Sequence, residues 1–555
     1  MAPRLIFLLF YISLSYSTTA LAQVANTSVK SVIKYNNDKT SIQTDENGVL
    51  VINVSTIDLE KFISKRYVSY RDFGALGNGK SDDIDAIAAT HAFANQNNLA
   101  VKADDLANYY ISGKDRTAYI QTNTDFGLAA FIIDDTDVQN RNAPVFEISS
   151  AQLPFKVTGI ISLRKNQKKI NLNTTTDCII TVTDSSVKHY IRFGPNQDKG
   201  ASKIDIFKVD KKGNVDMNTP VIWDFSRISD IMALPLDKKV LTITGGRFST
   251  IANKEESKYT YFARNINIKR SNVVIDRLIH RVTGEGDQGA PYGGFINISN
   301  CAYVTIKNSM LTGHKTYSTI GSAGIPVTMG TYDISINRAL NVSFINCSQT
   351  NDIHNRTYWG IMGSNYCKNL VLDSCSFSRF DAHKGVANAT IRNSVLGHMG
   401  INAIGTGIFK IENTRIYGRS LVNLRSDYGS TWQGKFIIQN CIFIPENGKF
   451  TNTILINGSY SGQHDFGYTC YMPSRIVIKN LKIDDSNHPS DYTGPVIFAN
   501  FNPLVSNEMY KEIYPYIKTK EVLLRNVITA SGKMLRISNN PVLFKDVKIK
   551  GLENK

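Results

Sequence analysis

The sequence predicts an all-β solenoid, a right-handed parallel β-helix with an N-terminal capping helix. Three observations predict it. The first is a set of ten short segments that align with one another, from "NVVIDRLI" to "PVLFKDVKI". Each is an alternating strand, a polar residue and a second short strand. Alternation turns one set of side chains inward. A single short repeat cannot bury that set, so successive repeats stack. The second is the polar position itself: Asp276, Asn308, Asn346, Ser374, Asn393, Asn413, Asn440, Asn480, Asn526 and Asp546. Asparagine tolerates a left-handed backbone at a corner and bonds to its counterpart in the next coil. The third is a column of small side chains: Cys347, Cys375 and Cys441, with Ser394 equivalent, share one register.

The N-terminus, "MAPRLIFLLFYISLSYSTTALAQ", has a basic Arg4, an apolar run from Leu5 and a small-residue "ALA" ending at Ala22. Residues 1–22 therefore read as a cleavable secretory signal, cut near Ala22/Gln23. The apolar run is too short for a membrane span, and no later stretch is long and apolar enough for one. Secretion and a formal net charge of +16 favour an acidic glycan as partner over nucleic acid. The seven cysteines are sparse and lack a CxxC pair, so they read as core residues and not zinc ligands. The cysteines supply no metal site.

Residues 23–65 read as a polar N-terminal arm, and 66–555 as the β-helix. Near its start, Ser81 with Asp82 and Asp83 opens an amphipathic helix with Ile84, Ile87, Ala88 and Phe93 on its apolar face. The stretch "DFGALGNGKSDDIDAI" resembles the opening of the pectate-lyase and polygalacturonase superfamily of β-helices, shared by phage tailspike depolymerases. The resemblance implies that a Gly-rich turn precedes a helix capping the first coil. It makes Asp82 and Asp83 structural. Residues 155–265 are less regular and read as β-structure elaborating the early coils.

In a solenoid, the turn after each aligned strand recurs at one place, so residues distant in sequence line one lateral groove. Four successive turns carry a histidine: His314, His354, His383 and His398. The turns of this series carry Arg356, Arg379, Lys384, Arg419 and Arg425, with Tyr292, Tyr358 and Tyr428. "FSRFDAHKG", Phe377–Gly385, reads as the middle turn of this cationic groove. Trp359 and Trp432 suit packing and sugar stacking equally.

That mixture matches β-elimination from a uronic-acid chain. A cation or amide must neutralise the carboxylate, a base must take the adjacent proton, and an acid must protonate the leaving oxygen. The assignment is Arg379, with Arg356 and Asn351, around the carboxylate. His383 or His354 is the base and Tyr358 the acid. Lys384, His398, Asn402, Arg425, Tyr428 and His314 bind flanking acidic sugars. Lys384 as base is an alternative, given a depressed pKa.

The stretches "GEGDQGAPYGGFINISNC", "TYWGIMGSNYCKNL" and "SRFDAHKGVANATIRNS" resemble secreted bacterial β-helix lyases, among them those degrading glycosaminoglycans such as chondroitin sulfate and hyaluronan. That resemblance implies a polysaccharide lyase. No cofactor is required; calcium is the ion it leaves open, although clustered aspartates are not evident. Two rivals stand beside it. A polygalacturonase-like hydrolase would use Asp352 and Asp381, although the Gly-His-Gly and Arg-Ile-Lys motifs of that family are missing. A non-catalytic β-helix would bind the same glycan without cutting it. A trimeric tailspike fits less well, because the chain carries a secretory signal.

Overall fold

The computed structural model describes residues 31–256, 259–446, 452–505 and 509–551. The signal sequence and its cleavage point lie outside them. The described chain is built mainly of parallel strands, each paired with the strands of the coils before and after it.

The aligned repeats stack in register. One inward column runs through Val273, Val304, Val342, Leu370, Ala389, Phe409, Phe436, Ile476 and Val522, each the partner of the next. A second runs two residues on, from Ile275 through Ile306 and Phe344 to Leu524. Both are buried along their length. Such stacking hides the apolar face of every coil except at the two ends.

The corners behave as asparagine requires. Asn308, Asn346, Asn393, Asn413, Asn440, Asn480 and Asn526 all have φ between +51° and +55°, apart from Asn413 at +48°. Ser374, at +56°, takes the same conformation. Each amide donates to the coil before it: Asn346 to Asn308 at 2.8 Å, Asn413 to Asn393 at 3.1 Å, Asn480 to Asn440 at 2.8 Å. The two ends of the alignment differ. At the first repeat Arg277, not Asp276, is left-handed, and Asp276 accepts from Asn308. At the last, Ile549 pairs with Val522, so the strand is Lys548–Lys550 and the segment Pro541–Asp546 is a turn. The small-residue column is confirmed: Cys347, Cys375 and Cys441 are free, buried, and donate to backbone carbonyls.

Helix α2 (Ile84–Asn97) buries Ile84, Ile87, Ala88 and Phe93. Its preceding carboxylates bind backbone. Asp83 accepts from the Leu76 and Gly77 N–H groups at 2.7 and 3.1 Å, and Asp82 holds Ser112. Gly77 has φ +59°, and a Cβ there would lie 2.8 Å from the Ala107 Cβ, so this turn requires glycine. Residues 31–65, expected as a polar arm, form a three-stranded sheet (Ser31–Asn36, Ser41–Thr44, Leu50–Ser55) and helix α1 (Thr56–Lys65). Leu50, Ile52, Val54 and Phe62 join the main core. The Ser55 hydroxyl caps α1 by accepting from the Asp58 N–H at 3.0 Å.

The irregular region is an insertion. A four-stranded antiparallel sheet, ordered Phe155–Lys156, Asp230–Pro235, Cys178–His189 and Ala201–Val209, has its own core around Ile180, Val182, Phe207 and Phe225. It does not merely elaborate the early coils. Asp205 pairs with Lys368 at 2.7 Å, both side chains 1% exposed, and Ile191 N–H donates to the Phe466 carbonyl. The insertion thus lies along the middle and later coils. No helix among the described residues is long and apolar enough to cross a membrane.

Candidate functional site

"FSRFDAHKG" is not a turn. It lies within one long strand, Ser376–Arg392, paired with Met362–Asp373 and with Val395–Ala403 and Gly405–Glu412. Phe377, Phe380 and Ala382 enter the core. Arg379, Asp381 and His383 alternate with Phe380 and Ala382, which places the three ionisable groups on the outer face. The register shifts between Phe377 and Arg379, and this irregularity sets Phe380 inward and Arg379 outward.

Arg379 faces a groove of about 500 Å³. The side chain is only 7% exposed. Its Nη2 donates to Asp381 at 2.8 Å, and its guanidinium lies over the rings of Trp359 (5.3 Å) and Tyr332 (6.0 Å). Nε and Nη1 of Arg379 and Nε1 of Trp359 are buried without a partner among the described residues. All three are donors, so this end of the groove lacks an acceptor.

His398 lines the same groove. Its Nε2 lies 3.2 Å from the Tyr358 carbonyl oxygen. A carbonyl only accepts, so Nε2 carries the hydrogen, and in the neutral ring Nδ1 keeps its lone pair. Burial, and the nearby cations Arg356 and Arg379, lower its pKa below the usual histidine value against the effect of that hydrogen bond. Tyr358, half-buried, lines the groove beside it. Asn402 continues the wall: its Oδ1 accepts from Asn423, whose Oδ1 accepts from Asn457. At the mouth, exposed Arg356 and Arg419 both pair with Glu446.

The other residues expected here are elsewhere. His354 is exposed, edge-on to the Tyr417 ring at 4.2 Å, and does not line the groove. Asn351 is spent on backbone, holding the N–H and carbonyl of Gly313. His383 and Lys384 are hemmed in by a strap from the insertion. Tyr190 of that strap packs on Tyr366, Tyr428 and Tyr468. A Cβ on Gly385 would meet the Tyr190 hydroxyl at 2.2 Å. His383 donates from Nδ1 to Asn365 at 3.0 Å and lies edge-on to Tyr428. Burial, then Arg425 and Lys384, push its pKa far down. Tyr428 is fully buried, and Arg425 is held between Asp381 and Asp427. Neither meets a ligand in the groove.

No protein-family model and no curated protein matches the chain. Among solved structures it is similar to the tailspike gp61 of Pseudomonas phage phi297, at 13% identity and a TM-score of 0.52, covering 86% of this chain and 83% of that one. Weaker likenesses join it to PfbA, a surface adhesin of Streptococcus pneumoniae (12% identity, TM-score 0.42, 84% and 93% covered), and to tailspike protein 3 of bacteriophage CBA120 (8%, 0.41, 92% and 65%). The phi297 likeness speaks to fold alone, and it agrees with the stacked coils. The chain is a parallel β-helix.

On the early coils of this β-helix, His314 is an internal residue, 2% exposed, and not a sugar ligand. Its Nδ1 faces Glu285 at 3.3 Å and its Nε2 faces Asp333 at 3.2 Å. Asp333 also binds His280 Nδ1 at 2.8 Å and the Thr312 N–H. Burial opposes a charge on His314, but the two carboxylates prevail and raise its pKa to about 10. Near it a second groove of about 750 Å³ is lined by Glu255, Glu285 and Asp287. Among the described residues, no group of three or more His, Cys, Asp or Glu is arranged to hold a metal. Sequence reasoning missed Asn423, Asn457 and Glu446. The two asparagines had a signal, since with Asn402 they recur at one place on successive coils; Glu446 had none.

Proposed function

We propose that this protein is a secreted polysaccharide lyase, a right-handed β-helix closed by α2, that takes a uronic-acid chain into the Arg379 groove and cleaves it by β-elimination. One observation carries the reading: a buried, under-partnered guanidinium lies in the same groove as a histidine whose Nε2 faces a backbone carbonyl and whose pKa is lowered. Arg379 stabilises the negative charge that builds on the carboxylate as the C5 proton leaves. His398 Nδ1 takes that proton, in place of His383 or His354. The electron pair forms the C4–C5 double bond, the C4–O bond breaks, and the Tyr358 hydroxyl protonates the departing oxygen. Glu446 is the carboxylate lining this groove, and it is engaged by two arginines. Asp381 is fully buried between Arg379 and Arg425. The carboxylate pair that hydrolysis needs is therefore not assembled here, and Asp352, exposed and bound to the His354 N–H, does not supply it. The net charge of +16 favours sulfated glycosaminoglycans such as chondroitin sulfate.

The acidic groove at Glu255 and Asp287 favours a second reading, hydrolysis on the early coils. The test is ultraviolet absorbance and reducing-end release over chondroitin sulfates, hyaluronan, heparan sulfate, pectate and alginate. Absorbance that rises with wild type and not with His398→Ala establishes the lyase. New reducing ends without absorbance move the chemistry to the acidic groove. Binding without cleavage of any glycan leaves a binding module.

A further inference from the structure

Arg379 ends a row of charges that begins on the insertion. Arg192, on the strap, donates from Nη2 to Asp427 at 2.8 Å. Arg425 donates to the same carboxylate through Nε and Nη2 at 3.1 and 2.7 Å. Its Nη1 reaches both oxygens of Asp381 at 3.0 Å, and Asp381 binds Arg379 at 2.8 Å. Asp381 is fully buried, and Arg425 and Arg379 are less than 10% exposed. Three guanidiniums thus face two carboxylates, which leaves one positive charge in excess. Buried N–H groups without a partner stand at both ends of the row, Nε of Arg192 and Nε and Nη1 of Arg379, and of the three arginines Arg379 is the one that lines the groove. Lys384 and Asp198 stand beside the row, and their opposite charges act on each other.

We propose that Arg192 is a positioning residue for the groove, acting through Asp427, Arg425 and Asp381 to keep Arg379 free for an anionic ligand. With Arg192 present, Asp427 is shared, and Arg425 turns its Nη1 on Asp381. Without it, Asp427 draws Arg425 to itself and Asp381 is left to neutralise Arg379. The groove then loses its net charge although no groove residue has changed. The ligand class follows: an oxyanion, carboxylate or sulfate, borne on the chain. This rests on the reading of Arg379 as the groove cation.

The experiment is a sodium sulfate titration of the full chain at constant ionic strength, read by the fluorescence of Trp359, with Trp359→Phe identifying the signal. Arg192→Gln is expected to weaken sulfate binding by about threefold to tenfold, and Arg192→Lys to restore it to within about twofold, because it keeps the charge. Asp427→Asn is expected to shift binding the opposite way, because it removes a carboxylate; a merely structural contact would weaken both. An Arg192→Gln response equal to wild type, or equal losses in Arg192→Gln and Asp427→Asn, overturns the proposal and leaves the groove reading intact. A response insensitive to Arg379→Gln overturns the groove reading and the proposal with it.

Discussion

His398 donates its Nε2 hydrogen to the Tyr358 carbonyl at 3.2 Å, so the proposed base is oriented by the backbone of the proposed acid. His398→Ala should lower kcat by about 10²- to 10⁴-fold with little change in stability. Because only neutral His398 accepts a proton and its pKa is lowered, kcat/KM should hold below pH 6.5, the ordinary histidine value, and fall only under more acidic conditions. A pH profile centred on the ordinary value would remove His398 from this role.

Arg379 cannot be exchanged for lysine without loss. Its planar fork spans Asp381 and the groove while lying over Trp359. Arg379→Lys should lower kcat/KM by about 10²-fold. Gly360→Ala should mimic part of that loss, since its Cβ would lie 2.2 Å from Arg379 Cδ. Steady-state kinetics of the two variants check this; a wild-type Gly360→Ala would show that Arg379 need not hold its place.

His383→Ala should leave turnover within about threefold of wild type, because the ring is engaged with Asn365 and Tyr428 under the strap. It should cost about 1–2 kcal/mol of stability. Denaturant unfolding beside a cleavage assay separates the two effects.

The stability of the early coils should depend on alkaline pH. The folded pKa of His314 is raised to about 10 from an ordinary 6.5. Its contribution is therefore complete below about pH 6.5, shrinks as pH rises, and is gone above about 10. Thermal unfolding at pH 6 and pH 9.5 should show a fall in wild type that His314→Gln lacks.

The fold was legible where one residue type carries one conformation. Asn308 to Asn526 marked the corners because left-handed backbone favours asparagine, and the V-x-I segments marked the inward columns because strands have period two. The site was legible only in composition. Arg379, Tyr358, His398 and Asn402 do share a groove, as adjacent coils require. But the outer face of the Ser376–Arg392 strand carries Arg379 and His383 four residues apart, and of the two Arg379 lines the groove. What divides them is Tyr190 and Arg192, which come from an antiparallel insertion whose docking position no periodicity encodes.

That docking sets the order in which the chain can finish folding. Corner bonds join residues 20 to 46 apart, so each coil can close on the one made just before it. The His464 side chain instead meets the Ile191 carbonyl 273 residues away, and Lys165 meets Gln433 across 268. The insertion leaves the ribosome early, with a core of its own, and must wait for most of the solenoid before it can settle. Because its strap then bears on Asp427, the groove becomes competent late. A chain truncated before residue 427 could build the coils around Arg379 and still lack the seat that tunes its charge.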